Sequence, residues 1–292
     1  MRESRSYIFL GATHFGRAVL ENLLAIGQIP KAIFSIPETF SISYASEKVK
    51  NYDFFDFSTL AKTHKIPFYW VESPTQPIAS YKEHIKDLHA SFMLVAGWYY
   101  KIPRSVYTLT QMGAFGFHNS LLPKYAGGAP LVWAMIRGES TAGVTLFRMG
   151  EEMDCGDIIL QKSFEIAFSD TIADVLQKAT QCAIAMSARL FSDDFCIRFT
   201  PQPAAQEYHP QRCPKDGEID LNWDSLTLYN FIRAQSSPYP GAFIKTTDGK
   251  RLVIDKAHIE EAINWGGGQH RIVESYALLV AQNRRLACKL AS

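Results

Sequence analysis

In the first half of this chain the apolar residues fall into short runs separated by helix-like stretches. Residues 7–10, 31–36, 67–71, 91–97 and 114–118 are apolar with little alternation, as strands buried on both faces are. Between them, residues 16–26, 60–64 and 81–89 space their apolar positions as helices do. Strand and helix thus take turns. The pattern predicts an α/β fold, a Rossmann-like and mostly parallel sheet with helices on both faces. Residues 130–137 predict a further helix, and 143–149 with 157–166 predict two strands able to pair antiparallel at one edge. A long amphipathic helix is expected over 171–191, capped by Ser169 or Asp170.

Beyond residue 200 the pattern changes. Thr200-Pro-Gln-Pro-Ala-Ala-Gln206 has the composition of a linker. After it come a short helical stretch (225–234), a turn-rich segment (237–243) and strand-like pieces up to residue 290. This predicts two domains, 1–200 and a small, mainly β module at 201–292; 292 residues suffice for both.

Charge narrows the range of partners. The net charge is +1, and from residue 201 onward eleven Lys and Arg face ten Asp and Glu. Neither the chain nor its C-terminal part offers a general attraction for phosphate backbones or anionic lipid, so no nucleic acid or membrane partner is expected. Cys155, Cys182, Cys196, Cys213 and Cys288 are scattered without a CxxC or Cys/His cluster. That predicts no metal site, no disulfide framework and a cytoplasmic location.

Three places could carry chemistry. His118 ends the apolar run 114–118, where a strand's carboxyl end opens onto the usual ligand crevice of such a sheet. Asp154, in Met153-Asp-Cys-Gly-Asp157, could be brought to it from a second turn, giving a proton-handling pair. A core histidine and a solvated loop acid are the plain alternatives. Gly97-Trp-Tyr-Tyr-Lys-Ile-Pro103 leaves the same sheet edge, and its aromatics could wall a flat ligand or simply fill the core. Gly11-Ala-Thr-His-Phe-Gly16, which includes His14, could cradle a phosphate at a helix N-terminus. It is not GxGxxG, and a tight turn that needs glycine explains it as well.

Three separated motifs, in order, resemble those of the folate-dependent formyltransferases, whose members include methionyl-tRNA formyltransferases and sugar N-formyltransferases. His118-Asn-Ser-Leu-Leu-Pro-Lys-Tyr-Ala-Gly-Gly-Ala-Pro130 resembles the signature H-x-S-L-L-P-K/R-x-x-G-x-x-P. Thr141-Ala-Gly-Val-Thr-Leu-Phe-Arg-Met149 and Met153-Asp-Cys-Gly-Asp-Ile-Ile159 are similar to the segments that follow it. Pro238-Tyr-Pro-Gly-Ala-Phe243, after Ile232-Arg-Ala234, resembles the family's C-terminal OB-like module.

The resemblance implies N10-formyltetrahydrofolate as co-substrate, no metal, and a primary amine as acceptor. It makes His118 and Asp154 catalytic and lays the folate along the 95–102 loop, with Val95, Gly97, Trp98, Tyr99, Tyr100 and Ile102. His14, Lys124, Tyr125 and Gly127 are candidates for binding the acceptor. Two residues depart from the family pattern. Gly116 stands where an asparagine is usual, two residues before the histidine, and Ala126 where many relatives carry arginine. Asn119 could replace the missing amide, provided the strand ends at His118, since neighbouring strand residues point to opposite faces.

The acceptor follows from what the chain lacks. Methionyl-tRNA formyltransferases carry a basic, glycine-rich insertion after the second strand, whereas here residues 34–44 contain no Lys or Arg. A nucleotide-linked amino sugar is therefore the expected acceptor. A methionyl-tRNA or peptidyl amine, and a catalytically weak folate- or nucleotide-binding protein, are the alternatives. The C-terminal module could bind acceptor, build a homodimer or cover an apolar face.

Overall fold

A computed structural model describes residues 5–42, 47–246, 249–260, 271–273, 276–281 and 284–290. Ser43 and Tyr44, the last residues of the 34–44 stretch that has no Lys or Arg, lie outside them. Seven strands form the main sheet: β1 (Tyr7–Leu10), β2 (Ile33–Ser35), β3 (Phe68–Trp70), β4 (Phe92–Val95), β5 (Ala114–His118), β6 (Thr141–Arg148) and β7 (Ile158–Glu165). Their order is β7-β6-β5-β4-β1-β2-β3. The five strands from β3 to β5 pair in parallel, as the unbroken apolar runs predict. β6 reverses, lying antiparallel to β5 with Phe115 opposite Arg148 and His118 opposite Thr145. Hydrogen bonds from Arg148 N–H to the Asp157 carbonyl (2.8 Å) and from Ile166 N–H to the Ser140 carbonyl (2.9 Å) tie β6 to β7 at the edge.

The helices are α1 (His14–Ala25), α2 (Phe57–His64), α3 (Lys82–Asp87), α4 (Arg104–Tyr107), α5 (Pro130–Ile136), α6 (Ile172–Phe191) and α7 (Ser225–Arg233). Among the described residues no helix is long and apolar enough to cross a membrane. Alternate residues of the central strands serve opposite faces of the sheet. Ile8, Leu10, Met93 and Val95 pack with Ile85 of α3 and Val106 of α4. On the other face the Phe9 ring lies 5.6 Å from that of Phe57 in α2, and Tyr7 and Phe92 meet Phe191 of α6 at 5.0 and 5.9 Å. Full burial of each such side chain contributes roughly 1.5–3 kcal/mol, so both layers are strongly held.

Two local expectations change. α6 starts at Ile172, and neither Ser169 nor Asp170 caps it. Asp174 in its first turn accepts from the Thr171 N–H (2.8 Å) and hydroxyl (2.7 Å), while Asp170 is committed to the Ala167 N–H and the Lys178 ammonium. The 200–206 stretch does not hang free at its start. Thr200 and Ile158 exchange backbone hydrogen bonds in both directions, at 2.7 and 2.8 Å.

The chain forms two compact units that interleave in sequence. The first comprises Met1–Lys124, Gly143–Ser163 and Ala179–Gln206; the second comprises Tyr125–Ala142, Phe164–Lys178 and Glu207–Ser292. The second unit holds an antiparallel sheet of β8 (Ala242–Lys245), β9 (Arg251–Glu260), β10 (Arg271–Val273), β11 (Tyr276–Ala281) and β12 (Arg284–Leu290), in the order β8-β9-β12-β11-β10. Leu228, Phe231 and Ile232 of α7 pack with Ala242 and Ile254.

The first strand-to-helix turn is pressed against the loop that follows β4. A Cβ on Gly16 would lie 2.4 Å from the Ala96 carbonyl oxygen, and one on Gly11 would lie 2.8 Å from it. The Ala12 N–H also donates to the Gly97 carbonyl at 2.9 Å. Gly16→Ala is therefore expected to destabilise the protein by about 1–3 kcal/mol, read as a lower midpoint in urea unfolding. An unchanged midpoint would contradict this close approach.

Candidate active site

β5 ends at His118, and the backbone then turns away through Ser120-Leu-Leu-Pro123. Thr145, opposite His118 on β6, anchors that turn. Its hydroxyl donates to the Ser120 carbonyl (2.6 Å) and accepts from the Leu122 N–H (3.1 Å) and the Gln161 amide (2.9 Å). Gln161 also donates to the Leu122 carbonyl at 2.9 Å, and the Ser120 hydroxyl to that of Lys124 at 2.6 Å. Gly143 admits the turn: a Cβ there would sit 2.4 Å from Leu121 Cδ2. His118 is thus a buried imidazole on a strand end with a rigid exit.

Asp154 reaches it from the turn between β6 and β7. The His118 Nδ1 and Asp154 Oδ1 atoms are 3.5 Å apart, and both side chains are largely buried. At that distance the carboxylate faces the imidazole at the outer limit of hydrogen-bond reach. Because β6 runs antiparallel to β5, it ends beside Phe115 and not beside His118. The turn must double back across three strand positions, roughly 10 Å, to deliver the carboxylate.

Local chemistry allows this return. Asp154 adopts a left-handed φ of 52°, a region that Asp enters more readily than most residues. Gly156 has φ 142° and lies so close to Arg148 that a Cβ would be 1.9 Å from its carbonyl oxygen. The Gly150 N–H donates to the Cys155 carbonyl at 3.0 Å, and Arg104 pairs with Glu151 at 2.5 Å.

The doubled-back turn passes over Gly116. A Cβ there would touch Met149 Cγ and Sδ at 3.3 Å and Phe147 at 3.4 Å. A side chain there would therefore require Met149 and Phe147 to give by a few tenths of an ångström. β5 does end at His118, as a role for Asn119 requires, and Asn119 Oδ1 is buried without a hydrogen-bond partner among the described residues.

The aromatic loop divides its duties. Gly97 has a left-handed φ of 66°, and a Cβ there would lie 1.9 Å from Thr13 Oγ1, so both its conformation and its surroundings require glycine. Val95 and Ile102 are core residues, and Trp98 and Tyr100 pack against that core. Tyr99 is the most exposed of the three aromatics. Its ring lies 5.1 Å from that of Phe40, and its hydroxyl donates to Asn51 Oδ1 at 3.0 Å. Asn51, which has no motif around it, in turn donates to the Ala12 carbonyl at 2.9 Å and so joins both loops.

The acceptor candidates separate. Lys124 is exposed. In the second unit the Tyr125 ring stacks 5.1 Å from His209, and its hydroxyl donates to Glu139 at 2.8 Å. Gly127 pairs with His209 so closely that a Cβ would meet the His209 carbonyl oxygen at 2.3 Å. Ala126 is fully buried, which leaves no outlet for an arginine. His14 is exposed beside Phe55 at the start of α1. The His14 N–H donates to the Asp53 main-chain carbonyl at 2.9 Å, and the half-buried Asp53 carboxylate lies near the His14 and Phe15 N–H groups.

The family model for formyl transferase matches residues 9–188, and that for the formyl transferase C-terminal domain matches residues 213–284. The chain belongs to the formyl transferase family. Over 234 residues it is 31% identical to the bifunctional polymyxin resistance protein ArnA of Wigglesworthia glossinidia brevipalpis, covering 74% of this chain and 33% of that protein. It thus spans about a third of the length of that curated relative.

Its fold is similar to that of an N-formyltransferase from Helicobacter canadensis in complex with folinic acid and dTDP-3-aminofucose. The TM-score is 0.68 at 17% identity, over 99% of this chain and 100% of that one. It is also similar to a methionyl-tRNA formyltransferase from Clostridium thermocellum, with TM-score 0.59 at 17% identity, over 88% and 94% of the two chains. At these identities the likeness speaks for the fold alone.

Burial pushes the Asp53 carboxyl above the usual carboxylate range, outweighing the nearby His14 and the N–H groups that favour its charged form. The folded chain therefore binds this proton more tightly than the unfolded one. The resulting stability is full below the unfolded value of about 3.9 and drains away as pH rises through the folded value. Asp53→Asn keeps the size and an acceptor oxygen but cannot ionise. Its Tm advantage over the parent should be near zero at about pH 4 and grow towards pH 7. Thermal melts across that range check it; a pH-independent difference would contradict the assignment.

Proposed function

We propose that this chain transfers the formyl group of N10-formyltetrahydrofolate to the amine of a nucleotide-linked amino sugar, in the cytoplasm, with residues 1–200 catalytic and 201–292 an OB-like accessory domain. The observation that carries this reading is the buried His118–Asp154 contact at the end of the fifth strand, assembled from two motifs far apart in sequence. The neutral amine attacks the formyl carbon, a C–N bond forms, and charge builds on the carbonyl oxygen. His118 stabilises that oxygen by donating a hydrogen bond. Asp154 orients the imidazole and helps remove the proton shed by the ammonium. Breaking the bond to N10 returns the electron pair to that nitrogen, which takes up a proton as tetrahydrofolate leaves.

Support for the acceptor comes from charge. Residues 34–42 carry one acid and no base, so a tRNA would find little of the electrostatic attraction on which its binding depends. The Helicobacter canadensis relative, solved with an amino-sugar nucleotide, agrees with this choice. A second reading draws on Gly116. With no amide at residue 116 and Met149 and Phe147 against its Cβ position, turnover could be weak and folate or nucleotide binding the main activity.

Tetrahydrofolate release is expected with a nucleotide-linked 4-amino sugar and not with methionyl-tRNA. His118→Ala should lower kcat roughly 100- to 1,000-fold. Turnover on the tRNA alone would overturn the acceptor. Folate binding without release from any amine would favour the second reading.

A further inference from the structure

We infer that Gln202 is a positioning residue for Asp154: its side-chain amide holds the Asp154 main chain in the conformation that aims the carboxylate at His118. The inference rests on the reading of Asp154 as catalytic. Gln202 Nε2 donates to the Asp154 carbonyl oxygen at 2.6 Å. The turn's own backbone bonds, Arg148 to Asp157 and Gly150 to Cys155, secure its base. The bond from Gln202 acts on the left-handed residue itself.

The donor is held firmly. Thr200, two residues earlier, pairs in both directions with Ile158 at the start of β7. Pro201 and Pro203 flank Gln202 and fix φ on either side of it. The surrounding residues 201, 203 and 204 are exposed, yet Gln202 is half-buried. Its Oε1 is buried with no partner among the described residues. Burying half an amide unsatisfied is unfavourable, and the bond to Asp154 is what that burial secures. A stretch with the composition of a linker thus carries a strut for the second catalytic motif.

The test uses Gln202→Met, which keeps length and loses the donor, and Gln202→Glu, which regains a donor only when protonated. For Gln202→Met, kcat should fall on the order of 10- to 100-fold, as small misplacements of reacting groups do, with KM for both substrates within about twofold. For Gln202→Glu, kcat relative to the parent should climb as pH is lowered from about 8 to 5.5, where a half-buried glutamate begins to protonate. The Gln202→Met ratio should stay flat. Parental kcat in Gln202→Met would overturn the inference. So would a parallel loss of kcat, KM and Tm in both variants without recovery at low pH, which marks a packing role. Undiminished turnover by Asp154→Asn would instead overturn the site reading, and this inference with it.

Discussion

The site depends on bringing a carboxylate back across the sheet. Since β6 runs against β5, the chain leaves β6 at the wrong end of β5 for reaching His118. The 149–157 turn has to recover roughly 10 Å, and the features that make this segment unusual serve that return. They include a left-handed aspartate, a glycine against the Arg148 carbonyl, and a methionine laid over Gly116. A straight hairpin would have left His118 as a buried histidine with no acid beside it.

This return also explains the principal departure from the family pattern. On one face of a strand, alternate residues stand side by side, so a side chain at residue 116 would neighbour that of His118. Met149 and Phe147 lie against that position, 3.3 and 3.4 Å from where a Cβ would stand. Substituting asparagine for Gly116 would not simply restore an amide donor, because the thioether and ring must first move. Beneath the Asp154 turn, Gly116 therefore faces apolar packing rather than a polar neighbour.

Much of the scaffold was legible in the sequence because parallel strands buried on both faces leave unbroken apolar runs, and each expected run from 7–10 to 114–118 contains an observed strand. His118 was legible because it terminates such a run. The fixing residues were less so. Thr145 and Gln161 act through hydrogen bonds to a turn some twenty to forty positions away, which periodicity cannot register, although Thr145 lies inside one of the recognised motifs. Asn51 and Gln202 sit in stretches with polar or linker-like composition, and only the folded arrangement gives them partners. The cap of α6 was misjudged because Asp170 faces Lys178 and leaves the first turn to Asp174.

The signature that begins at His118 divides its labour in the same way. Its first part, through Lys124, belongs to the unit that holds His118 and Asp154, whereas Tyr125 to Gly128 belong to the second unit, paired with 207–211. Tyr125 spends its ring on His209 and its hydroxyl on Glu139, and Gly127 spends its missing side chain on the His209 backbone. Residues committed in this way have little left to offer an acceptor directly. Within the motif they anchor the second unit's own backbone, whereas Lys124, His14 and Tyr99 keep their side chains exposed.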